Sequence, residues 1–337
     1  MAGFRDILGQ KSVIAHMKKA VSMGKTSHAY ILNGEKGMGK KLLAHAFSMT
    51  LQCEQGGEEP CMECRSCKQT EGRNHPDIKW ITHEKPNTIS VEEVRDQLVN
   101  DMVIKPYSGK YKIYIIDEGE KMTSAAQNTL LKTIEEPPAY GIVIILTSNK
   151  EMLLQTILSR CVSLNLRPLR DEEMKRYLIS HENVPDYQAA MAVRFAGGNL
   201  GRAIDIISSD DFIAMKDDVV RALKNAYKMT ASDINQLVKE HTAYKNDMDA
   251  YLNLIIMWFR DLLLYKASGH RNCLMFESEA EVIDRQAREI SYDGVQEILV
   301  EIDNLKSRLK SNVNFEITLE LLFIKIREVF NKIIVEK

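Results

Sequence analysis

The sequence predicts an α/β domain built on a parallel five-stranded sheet, followed by an all-α remainder. Three observations lead there. A glycine-rich loop, Gly34-Glu35-Lys36-Gly37-Met38-Gly39-Lys40-Lys41, lies between a strand-like run and a helical one. Apolar runs and helical periods alternate as far as Leu166, the pattern of a parallel sheet covered on both faces. From Asp171 onward every periodic stretch has helical spacing.

The elements follow in order. Val13, Ile14, Met17, Ala20 and Val21 predict a helix over 11–24, and Ala29-Tyr30-Ile31-Leu32-Asn33 a buried strand. The strand feeds a loop that matches the phosphate-binding pattern G-x-x-x-x-G-K-[ST] at every position except the last. Glycines Gly34, Gly37 and Gly39 let backbone N–H groups curl around phosphate oxygens, and Lys40 reaches the outer phosphates. Lys41 stands where a Ser or Thr hydroxyl would hold Mg²⁺. The loop therefore suits nucleotide binding better than hydrolysis. Leu42, Leu43, Ala46, Phe47 and Met49 continue as a helix, the context the motif requires.

Cys53, Cys61, Cys64 and Cys67 come next, spaced C-x7-C-x2-C-x2-C. Four thiolates with two-residue gaps close a tetrahedral structural Zn²⁺ site, with Gly56, Gly57 and Pro60 in the turns. An iron–sulfur centre and plain reduced thiols are the rivals. A ferredoxin run would continue with a Cys three residues on, where this chain has no cysteine, and that favours zinc. Cys161 and Cys273 read as small core residues.

Ile78–Ile81 predicts a second strand. Ser90 and Glu93 form a capping box for a helix over 91–102. Tyr111–Ile116 is a third strand that delivers Asp117 and Glu118 at its carboxyl end. Those acids suit Mg²⁺ binding and polarisation of an attacking water, respectively. Ser124 and Gln127 are expected to cap a helix that Pro137-Pro138 stops. Ile142–Leu146 is a fourth strand ending near Asn149, a candidate γ-phosphate sensor or an ordinary turn residue. Leu153–Leu158 is a short helix and Val162–Leu166 a fifth strand. Ligands in such folds bind beyond the carboxyl ends of the strands, where the glycine loop, Asp117 and Asn149 converge. Pro168 marks a boundary. It separates a nucleotide-binding-like domain over 1–167, with the cysteine module at 53–67, from a small three-helix domain over 168–209 and a helical domain over 210–337.

Bulk composition excludes some functions. The 337 residues carry 45 basic and 47 acidic side chains, so any DNA contact must come from a local patch or a partner. The opening residues, which lead straight into amphipathic sequence, are expected to carry no secretory signal. The most apolar window, Tyr251 to Tyr265, is broken by Arg260 and Asp261 and too short to span a bilayer. The expected compartment is the cytoplasm.

Several further stretches, taken together, carry a resemblance. They are Phe4-x-x-Ile7-x-Gly9-Gln10, Ser27-His28-Ala29-Tyr30, the cysteine module, Asn128-x-Leu130-Leu131-Lys132-x-Ile134-Glu135-Glu136-Pro137 and Ser159-Arg160-Cys161. The chain resembles bacterial DNA polymerase III clamp-loader subunits of the AAA+ superfamily, densely to about residue 205 and beyond that only in helical character. The resemblance implies a P-loop domain, a helical lid and a C-terminal helical collar. It also implies DNA replication as the process and a hetero-oligomer, monomeric as a free subunit, with gamma/tau and delta subunits, the sliding clamp and primed DNA as partners. Within that family, Lys41 points to the delta prime kind of subunit, not catalytic alone but part of the DNA polymerase III holoenzyme and its clamp-loader ATPase. An ATP-hydrolysing gamma/tau-type motor is the alternative. The resemblance further implies Arg160 as an arginine finger acting in trans, Glu118 as a vestigial catalytic acid and Arg202 as a second sensor. ATP/Mg²⁺ is then weak or absent at the chain's own loop.

Overall fold

The structure, a computed structural model, describes residues 3–271, 274–309 and 314–335. Cys273 lies outside the described residues. The chain forms two compact units, Met1–Asp205 and Ile206–Lys337.

The first unit is organised by five parallel strands: β1 Ala29–Asn33, β2 Ile78–Ile81, β3 Lys112–Ile116, β4 Gly141–Thr147 and β5 Val162–Asn165, in the order β2-β3-β4-β1-β5. Ile31 faces Ile145 of β4 on one side and Ser163 of β5 on the other. The central strands are buried throughout except for the half-buried Asn33 at the end of β1, which explains why they read as near-continuous apolar runs. Alternate side chains serve two cores. Tyr30, Leu32, Ile115 and Ile144 pack with helices α1 (Lys11–Ser22) and α2 (Lys40–Gln52). Ile31, Tyr114, Ile116 and Ile145 pack with Leu98, Leu130 and Ile157 from the opposite layer.

The predicted helix over 91–102 is present, and Ser90 and Glu93 make their capping box. Its middle, Arg95–Val99, is π-helical, which apolar periodicity does not reveal. The helix Ser124–Glu135 is capped by Thr123, whose hydroxyl accepts from the Ala126 N–H at 3.2 Å, and not by Ser124. Gln127 does different work. Its amide donates to the carbonyls of Met122 and Met152 and accepts from the Leu154 N–H, tying the helix to the segment after β4. Three helices complete the unit or begin in it, at Asp171–His181, Asp186–Ala196 and Leu200–Ser208, with Gly197 closing the second at φ +58°.

A buried carboxylate, Asp77, and a half-buried one, Asp101, brace the sheet edge. Asp77 accepts from the N–H groups of Tyr107, Ser108 and Gly109 at 2.6–2.8 Å. Asp101 receives Lys79 and Lys112, each at 2.8 Å, and the Tyr114 hydroxyl at 2.6 Å. Burial alone would raise the Asp101 carboxyl. The bonds from Lys112, Lys79 and Tyr114 overcome that and hold it at about 2. Because the folded value is depressed, its stabilisation is complete above the unfolded value near 4 and is lost as pH falls toward 2. Asp101→Asn would leave the ammonium of the buried Lys112 without its counter-charge, held only by the carbonyls of Asp101 and Ile104. It is expected to destabilise the unit by about 3 kcal/mol, read as a lower urea midpoint, with Lys112→Met restoring part of the loss. An unchanged midpoint would remove this assignment.

The second unit is helical, with segments Asp210–Asn225, Ala231–His241, Met248–Ser268, Ala280–Glu289, Tyr292–Leu309 and Phe315–Val335. Trp258, Phe259, Ile298 and Phe323 are fully buried in it. The buried Gln286 is satisfied on both ends, accepting from the Trp258 indole and donating to the Leu223 carbonyl, each at 2.9 Å. Among the described residues no helix is long and apolar enough to cross a membrane.

Candidate nucleotide loop, cysteine centre and exposed arginine

Parallel β1 ends at Asn33 and α2 begins at Lys40, so the glycine loop joins a buried strand to a helix N-terminus. Gly37 and Gly39 both sit at φ +92°, a conformation only glycine adopts without strain. Lys40 folds back onto the loop, its ammonium donating to the carbonyls of Gly34 and Glu35, the latter at 3.0 Å. Burial lowers the Lys40 ammonium, and the nearby Glu120 and Asp117 charges oppose that shift.

Lys41 and the acids at the end of β3 meet here. The Lys41 ammonium lies 2.6 Å from an Asp117 carboxylate oxygen. Glu118, at φ +52°, pairs with Lys121 at 2.6 Å, and that bond is the main reason its carboxyl lies below the usual range. Glu120 accepts from the hydroxyl and the N–H of Ser148 just beyond β4. Asn149 is exposed. Its side-chain oxygen accepts from the Glu151 N–H at 3.0 Å, the bond of a local turn.

The start of the helix Leu200–Ser208 rests on the loop. The Asn199 amide donates to the Lys36 carbonyl at 2.7 Å, and the Gly201 N–H donates to the Gly37 carbonyl at 3.0 Å. The Asn199 oxygen accepts from the Arg202 N–H at 3.2 Å. A Cβ on Gly201 would lie 2.6 Å from the Gly37 Cα, so glycine at both positions permits the close approach. Asn199, Gly201, Glu120 and Lys121 were not singled out by sequence reasoning. An Asn just before a helical period is a cap signal that marks the first of them.

The four cysteines converge. Cys53 ends α2, Cys64 caps the helix α3 (Arg65–Glu71), and Cys67 lies in its first turn. Their sulfur atoms all lie within 4.8 Å of one another, with Cys61 and Cys67 3.9 Å apart. Backbone N–H groups of Cys61, Cys64 and Cys67 donate to the sulfurs of Cys53, Cys61 and Cys64 at 3.3–3.4 Å. The N–H of Cys64, with that of Glu63, lowers the Cys61 thiol to about 7, whereas burial pushes Cys67 up. This donor set is able to coordinate a metal ion. His75 is not part of it, because its ring bonds the Ser66 hydroxyl and the Asp77 N–H. Cys161 packs at the edge of a core cluster, and burial raises its thiol to about 12.

Arg160 follows the short helix Gln155–Leu158 and is exposed. Its guanidinium pairs with Glu135 at 2.9 Å and donates to the Thr156 carbonyl at 3.2 Å.

The sheet order, the glycine loop and the acids after β3 define an AAA+-related domain, here followed by a helical unit. Two family profiles match: "DNA polymerase III, delta subunit" over residues 9–170, and "DNA polymerase III, delta subunit, C terminal" over 210–328. The chain is 26% identical over 323 residues to DNA polymerase III subunit delta′ of Bacillus subtilis, covering 95% of this chain and 96% of that protein. It is 34% identical over 219 residues to subunit tau/gamma of Haemophilus influenzae, spanning only 31% of that longer protein. Among solved structures, a gamma subunit-related protein from Thermotoga maritima aligns over 95% of this chain at 15% identity and a TM-score of 0.43. The chain belongs to the bacterial DNA polymerase III clamp-loader subunits of the delta/delta′ type.

Proposed function

We propose that this chain is the delta prime subunit of the loader, a member that does not itself turn over ATP and that serves the site of a neighbouring gamma/tau motor. The observation that carries this reading is the Lys41–Asp117 ion pair. It sits where a working loop places a hydroxyl and a metal-binding acid. Glu118, the residue for activating water, is occupied by Lys121. End-to-end similarity to a delta′ subunit supports the same reading. Lys40 and the Asp117-Glu118 pair favour the motor alternative, since a non-hydrolysing subunit need not keep them.

In this reading Arg160 reaches the γ-phosphate of ATP bound by the neighbour. Residues 168–209 form the lid, with Arg202 and Asn149 as sensor positions carried over from the family, and 210–337 form the collar that joins gamma/tau and delta. The complex opens the sliding clamp and sets it on primed DNA. Mixing the chain with motor and delta subunits is expected to give one co-eluting species in size-exclusion chromatography. Separate elution would reject the assignment.

The cysteine centre is read as structural Zn²⁺. Zinc–thiolate bonds of about 2.3 Å give a tetrahedron with edges near 3.8 Å, matching the 3.9 Å between Cys61 and Cys67. A polynuclear iron–sulfur cluster spreads its four thiolates over two or more irons and so holds some of the sulfurs farther apart than the 4.8 Å that encloses these four.

A further inference from the structure

The family's nucleotide comes with Mg²⁺, and the residues of this loop do not fit that ion. Mg²⁺ takes near-octahedral oxygen ligands, in P-loop proteins from the loop hydroxyl and from the acid beyond the strand. Lys41 replaces the hydroxyl with a group that has three donors and no lone pair. The same ammonium already occupies the acid, 2.6 Å from an Asp117 oxygen. A divalent cation would thus lose both protein partners and meet a positive charge.

The anion-binding parts are nevertheless retained. Gly37 and Gly39 hold the left-handed turns of the loop, Lys40 stands at the start of α2, and one N–H of Lys41 on Asp117 leaves two for phosphate oxygens. We propose that Lys41 is a built-in substitute for the divalent cation, so that the loop binds a nucleoside triphosphate in its metal-free form. Asp117 acts as a positioning residue for Lys41, and Lys40 exchanges the carbonyls of Gly34 and Glu35 for phosphate. The inference concerns the chain's own loop and stands apart from the role of Arg160 in trans.

The test is calorimetric titration of the purified full chain with ATP, once in excess MgCl₂ and once in excess EDTA. The wild type is expected to bind about tenfold or more tightly in EDTA than in MgCl₂, because excess Mg²⁺ ties up most of the ATP in a complex that the Lys41 charge disfavours. Lys41→Met is expected to lose about tenfold or more of the affinity seen in EDTA. Lys41→Thr, which restores the hydroxyl and frees Asp117, should bind about tenfold more tightly with Mg²⁺ than without it. Lys41 is largely exposed, so these substitutions leave the fold intact, and unchanged thermal unfolding would verify that. Wild-type binding as tight with Mg²⁺ as without it, or tighter, no ATP binding in either buffer, or Lys41→Met binding as well as wild type in EDTA would each overturn the proposal. None of these results bears on co-elution with the other subunits, so the two readings fail separately.

Discussion

Arg160→Ala in the assembled loader is expected to leave subunit co-elution unchanged while the neighbouring ATP site loses about 10³-fold or more in turnover, roughly 4 kcal/mol of barrier. A guanidinium supplied by an adjacent subunit stabilises charge that develops on the transferring γ-phosphoryl group, and its effect falls on the rate of the chemical step. In the free chain the guanidinium has only surface partners. Glu135 and Arg160 are both about two-fifths exposed, and an ion pair of that kind contributes about 0–1 kcal/mol. Releasing Arg160 toward a nucleotide is therefore cheap, and removing it should not disturb folding. Arg160→Lys is a useful companion, because lysine keeps the charge and loses the planar fork. It should recover little of the rate. Single-turnover measurement on the complex is the direct check, and unchanged turnover in Arg160→Ala would remove the finger assignment.

The second large effect concerns the cysteine centre. Elemental analysis of the purified chain is expected to give one zinc per molecule in a colourless protein. Structural zinc binds with apparent free energies of about 10–16 kcal/mol in small zinc modules, so Cys64→Ser should release the metal and open residues 53–72. The damage should stay local, because the module hangs from the end of α2 and only Met49 of that helix joins the cysteines in one buried cluster. Protease nicking between 53 and 72, with the sheet still folded, is the expected pattern. A chain lacking zinc, or a brown iron-containing one, would end the zinc reading.

The parallel sheet was legible because both its faces are covered, which turns β1, β3 and β4 into continuous apolar runs that no surface constraint interrupts. The helices of the second unit were legible from their period. The convergence of the four cysteines was legible from spacing alone, since short gaps bring thiols into one cluster able to coordinate a metal ion. What stayed hidden depends on contacts between residues far apart in the chain. Lys41 was visible as an anomaly, but its salt bridge to Asp117 was not, because no local pattern encodes a pairing across the sheet. Nor does any local pattern encode the approach of Gly201 to Gly37 or the threefold backbone grip on Asp77. The cap at Thr123 was missed by one residue, since Thr and Ser are both good caps and stand side by side.

The central claim is that the chemistry this chain serves takes place at another subunit's site. ATP turnover by the purified chain alone, at saturating MgATP, tests it most directly. No turnover above background is expected. Steady turnover that Glu118→Gln abolishes would contradict it and make this chain a motor.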